Sequence, residues 1–267
     1  MFDLDFVRHH AGPAVSVRGD ASESGYRTLG AILDRFAERE GDLDARIAIR
    51  RKDLSSGRYL ELARFCFDQG RKDEALIWAR EGVWVFEDDR PDERLIDFYA
   101  ARLAETGEAA EAERVLWAAF ERAPSLSLYE RLKALAGASG VGRVLDCLGG
   151  RTRSGAGHRL NIADLHVQIL MREGMADAAW AAVEAHGASE GVCFTLATST
   201  ATTHPRQALT IFAERVERLV SGGSGYEEAA KLIGEMSRLR DPSVHARYLQ
   251  DVKDRHRRKR NFMTLLG

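Results

Sequence analysis

The sequence predicts an all-α chain folded as a right-handed α-solenoid of helical hairpins, on three observations. Apolar residues recur at helical spacing from Tyr26 nearly to the end. Convincing two-residue alternation is absent, and its best candidate, Val83-Trp84-Val85-Phe86, sits at the end of a helical pattern. Glycines followed at fixed offsets by small residues then repeat along the chain, the imprint of paired rods joined by tight turns. Composition agrees. A chain of 267 residues, 45% hydrophobic and 30% charged with 5 prolines, can bury the core of one or two domains, and it is not disordered, collagenous or disulfide-stapled.

Residues 1–25 include Gly12-Pro13 and a polar run from Arg18 to Gly25, keep no period, and are expected to form a flexible arm. Leu29, Ile32, Leu33 and Phe36 mark the first amphipathic helix, and Gly41 ends it before Leu43, Ile47 and Ile49 begin the next. Hairpins of this kind are expected across residues 26–148. The glycines and serines from Gly149 to Gly157 predict a loop over 149–158, after which a continuous solenoid runs through 149–267. Gly222-Gly223-Ser224-Gly225 predicts a further break. Glu227 to Arg240 then forms one helix, and Pro242 stands at a permitted first-turn position of another, which runs through Tyr248, Leu249 and Val252 to a basic C-terminal helix.

The repeat decides the architecture. Ala63 precedes Gly70 by seven positions, Ala75 follows it by five and Gly82 by twelve. Around Gly107 the same offsets hold Ala100, Ala112 and Ala119, with Pro124 seventeen positions on. These are the offsets of a tetratricopeptide-like repeat. A glycine permits the positive φ of the turn, small residues let antiparallel helices approach closely, and proline stops the second helix. Gly174 with Ala179 matches again 67 residues after Gly107, about two repeats of roughly 34 residues. Ser125 to Leu148 is a weaker unit between them, and Gly41 opens a less regular match 29 residues before Gly70.

Asp53-Leu54-Ser55-Ser56, the run Gly70 to Leu76 with Trp78-Ala79, His204-Pro205 with Ala208-Leu209, Tyr226-Glu227-Glu228-Ala229, and the end from His256 through Lys259-Arg260-Asn261-Phe262-Met263 with Leu265-Leu266 resemble a bacterial helical-repeat family of unknown function. That family is similar to the C-terminal half of some SWIM-type zinc-finger proteins. The resemblance spans roughly residues 26–266 and implies a tetratricopeptide-like fold. Cys66, Cys147 and Cys193 cannot supply the Cys-x-Cys and Cys-x-His pairs of such a finger, so zinc binding does not carry over.

Local chemistry is sparse, and no reaction, metal or cofactor is assigned. The three cysteines lie far apart, which suits a reducing cytoplasm. Met1 to Phe6 carries acids where an export signal needs bases, and no stretch approaches a membrane span. The eight histidines are scattered, and no phosphate-binding loop or activated nucleophile motif is present. The acidic run from Glu87 to Glu93 precedes a helix, where acids favour the positive end of the helix dipole.

Two surfaces remain. On the first helix of each hairpin, offsets from the turn glycine select Arg35 and Arg39, then Arg64 and Asp68, then Arg94, Asp97 and Glu105, then Asn161, Asp164, Gln168 and Arg172. Arginines with a few acids and amides along a concave face suit an extended peptide or protein partner, the expected role being an interaction scaffold. The other surface is the tail. The total net charge is -2, yet Lys253 to Arg260 holds a local +5, and Arg255, Arg257, Arg258, Lys259 and Arg260 would make the chain a nucleic-acid-associated module through phosphate contacts. Phe262, Met263, Leu265 and Leu266 are expected to fold back over the last repeat.

Overall fold

A computed structural model describes residues 20–52, 54–86, 92–154 and 159–267. Among them the regular structure is helical throughout, without a strand. The chain divides into two compact units, Met1–Glu108 and Ala109–Gly267. The division therefore falls at the turn after Gly107 and not at the glycine-rich stretch near 149.

In the first unit, α1 (Asp20–Glu40), α2 (Leu43–Arg50), α3 (Ser56–Asp68), α4 (Lys72–Val85) and α5 (Glu93–Glu105) each pack on the next, and α3 also touches α5. Polar side chains start the shorter helices by accepting otherwise unpaired N–H groups: Asp42 from Ala45 at 2.9 Å and Asp92 from Arg94 at 2.9 Å. Residues 87–91 of the acidic run lie outside the described residues, and Asp92 acts as a helix cap. Leu62, Ala63, Cys66, Ala75, Ala79, Leu95 and Leu103 form the buried interior.

Gly82 shows why small residues matter here. It is buried on α4, and a Cβ placed on it would lie 2.6 Å from the Tyr59 Cβ on α3 and 2.9 Å from a Leu95 methyl on α5. Three helices converge on a position that has room only for hydrogen. Tyr59 donates its hydroxyl to Glu81 at 3.0 Å, and Arg80 donates to the Tyr99 hydroxyl at 3.0 Å, so the rim of this contact is polar and satisfied.

The second unit comprises α6 (Ala109–Arg122), α7 (Leu126–Ser154), α8 (Arg159–Arg172), α9 (Ala176–His186), α10 (Glu190–Thr200), α11 (Pro205–Gly222), α12 (Tyr226–Met236), a 3-10 turn (Ser237–Leu239), α13 (Pro242–His256) and α14 (Arg260–Leu265). From α6 to α12 each helix packs on the next, α8 also touches α10, and α14 packs on α12 and α13. Val167, Ala179, Leu196, Phe212, Val216, Val220, Met236 and Phe262 belong to one continuous core. Trp180 donates its indole N–H to Thr200 at 3.1 Å inside it.

The turns repeat one geometry. Gly70 has φ +80°, its N–H donates to the Phe67 carbonyl at 3.0 Å, and the Arg71 N–H reaches the Cys66 carbonyl at 2.9 Å. Gly41, Gly107 and Gly174 have φ +72°, +88° and +71° with the same pair of bonds. This is the Schellman termination, which satisfies two orphan carbonyls and needs a left-handed residue. Within the weak unit at Ser125–Leu148, α7 is broken at Gly137, with φ +58° and ψ -140°.

Two boundaries differ from the sequence expectation. The backbone of α1 reaches back to Asp20, into the region expected to be an arm, while residues 1–19 lie outside the described residues. Helix α7 runs on to Ser154 through the expected loop, of which 155–158 lie outside the described residues. There Gly149 is buried, Thr152 donates to its carbonyl at 3.0 Å and Arg151 donates to the Glu121 carbonyl of α6, so tertiary contacts override a glycine-rich composition. The break at Gly222–Gly225 is present, with Gly223 left-handed and Pro242 opening α13.

Gly82→Ala is expected to destabilise the chain by about 1–3 kcal/mol through overpacking. Gly142→Ala, on an exposed helical position with open space, is expected to stabilise it by up to about 1 kcal/mol. Chemical denaturation of both variants checks the opposite signs.

Candidate interaction surface

The residues selected by offsets from the turn glycines lie on α1, α3, α5 and α8, and their surroundings separate them into two groups. Arg35 and Arg39 on α1 and Arg64 and Asp68 on α3 are exposed, and none of the four has an ion-pair partner among the described residues. Asn161 on α8 is exposed as well.

The others are already engaged or recessed. Arg94 forks onto Asp92, its own helix cap, at 2.6 and 3.0 Å, which holds the Asp92 carboxyl below the usual carboxylate range. Arg172 is bound by Glu130 of α7. Beside it Glu173 accepts from Tyr129 and from Lys133 at 2.6 Å, and those two donors pull its pKa down. Asp164 accepts the Ser189 N–H at 2.6 Å and so organises the start of α10. Asp97 and Gln168 are half-buried, and Glu105 pairs with Arg102 at 2.6 Å. Gly137, which the sequence offsets missed, adds exposed Arg131 to the series, six positions before its glycine. The missing signal was alanine: the position five after Gly137 is Gly142.

Charge on α1 is sorted by face. Asp34 turns toward α2, where Arg50 binds both of its oxygens and Arg46 reaches it at 3.3 Å. Arg46 also holds Glu38 at 2.9 Å. The same two guanidinium groups lie over the Phe65 ring of α3, 4.0 Å from its centre for Arg50 and 4.9 Å for Arg46. Hydrogen bonds from Arg50, and secondarily from Arg46, lower the Asp34 pKa.

The basic tail is also divided. Arg255 pairs with Glu217 of α11 at 2.7 Å, and His256 meets the other oxygen of that carboxylate at 2.9 Å. Arg257, Arg258 and Arg260 are exposed without an ion pair among the described residues, and Lys259 is half-buried. Phe262 is fully buried against Tyr226, with ring centres 5.6 Å apart, and Met263 and Leu266 pack on the same core. Leu265 instead faces outward.

Among the described residues no group of three or more His, Cys, Asp or Glu side chains could hold a metal ion, and no helix is long and apolar enough to cross a membrane. The thiols are free, and burial pushes them up, Cys66 to about 11, so they are poor nucleophiles near neutral pH. No protein-family model matches the chain, and no curated protein matches it.

Asp34 sets a pH dependence. Its folded pKa is depressed, so its contribution is present above the unfolded value near 3.9 and is lost as pH falls through the lower folded value. Asp34→Asn is expected to cost about 1–2 kcal/mol at pH 7. That difference from the parent chain should shrink toward zero in urea titrations repeated at successively lower pH, down to about pH 2.

Proposed function

We propose that this chain is a right-handed solenoid of tetratricopeptide-like hairpins that serves as an interaction scaffold in a reducing cytoplasm, binding an extended peptide or protein segment along the first helices of its hairpins. Kinship with the bacterial helical-repeat family related to SWIM proteins is part of this reading. Contacts that skip one helix, α3 with α5 and α8 with α10, support it, because stacking one hairpin on the next brings successive first helices together. Four repetitions of the same glycine turn, at 41, 70, 107 and 174, support it further.

The observation that carries the binding surface is the recurrence of exposed, unpaired charge at two registers. Arg35 and Arg64 stand six residues before their turn glycines, Arg39 and Asp68 two residues before. A partner offering carboxylates and backbone carbonyls gains charge-assisted hydrogen bonds there without first breaking an internal ion pair. Arg94 and Arg172 contribute less, since each would have to leave a carboxylate that it already binds.

Partners captured from the native cell and identified by mass spectrometry are expected to be lost with Arg39→Glu, Arg64→Glu and Asp68→Lys combined, with affinity for an isolated partner falling at least about tenfold. Recovery of the same partners at the same yield would end the groove reading.

Exposed Arg257, Arg258 and Arg260 favour a second reading, a nucleic-acid-associated module. Three phosphate contacts would give a slope of about -3 for the logarithm of affinity against the logarithm of salt concentration. Gel retardation of DNA or RNA at low salt, abolished by neutralising these three arginines, is the expected outcome under that reading. Absence of binding at low salt removes it.

A further inference from the structure

We draw no further inference here: the strongest candidate, the apolar outer face of α1 formed by Ile32, Leu33 and Phe36, is exposed among the described residues, and nothing in the structure shows what covers it.

Discussion

A left-handed glycine that ends one helix and leads into the next is the constraint that recurs most often in this structure. At Gly41, Gly70, Gly107 and Gly174 the same two hydrogen bonds absorb the last carbonyls of one helix, and at Gly41, Gly70 and Gly174 the next helix packs back on it. The carbonyls they cap at Ala37, Cys66, Leu103 and Leu170 belong to buried residues, which could not turn to water instead. Helix packing follows from the turn. Ala75 and Ala179 sit fully buried five residues after their glycines, where any longer side chain would push the paired helices apart.

Much of this was legible in the sequence because glycine and alanine act through what they lack, and absence of a side chain leaves a readable mark at fixed spacing. The all-helical class, the turn glycines and the starts at Ser55, Asp92 and Pro242 follow from local chemistry. The departures have a common cause, in that a neighbouring element decided what the local pattern left open. Residues 149–154 have loop composition and are helical because α6 grips Arg151. Helix α1 shows apolar periodicity and turns that face outward because two arginines of α2 bind Asp34 on the other side. Hydropathy specifies that a helix has two faces; charge partners in α2 choose which one is inward.

The same distinction governs the candidate surface. Offsets from a turn glycine locate a side chain on a helix, and they located exposed positions at Arg35, Arg39, Arg64 and Asp68. They carry no information about a carboxylate arriving from elsewhere in the fold. Arg94 is neutralised by a helix cap two residues away, and Arg172 by Glu130, 42 residues earlier in the chain. In the tail, Glu217 of α11 claims Arg255 and His256, leaving the turn between α13 and α14 as the exposed basic segment. Charge runs read from sequence are thus upper bounds on the charge available to a ligand.

Arg46 and Arg50 hold three helices at once, gripping a carboxylate on α1 while lying over an aromatic ring on α3. Pulling α1 aside would break ionic and ring contacts in the same movement, which couples α1, α2 and α3. A load applied at the outer edge of this unit is then felt at Phe65, one residue along α3 from Arg64, which makes the paired guanidinium groups a mechanical linkage as well as a structural one.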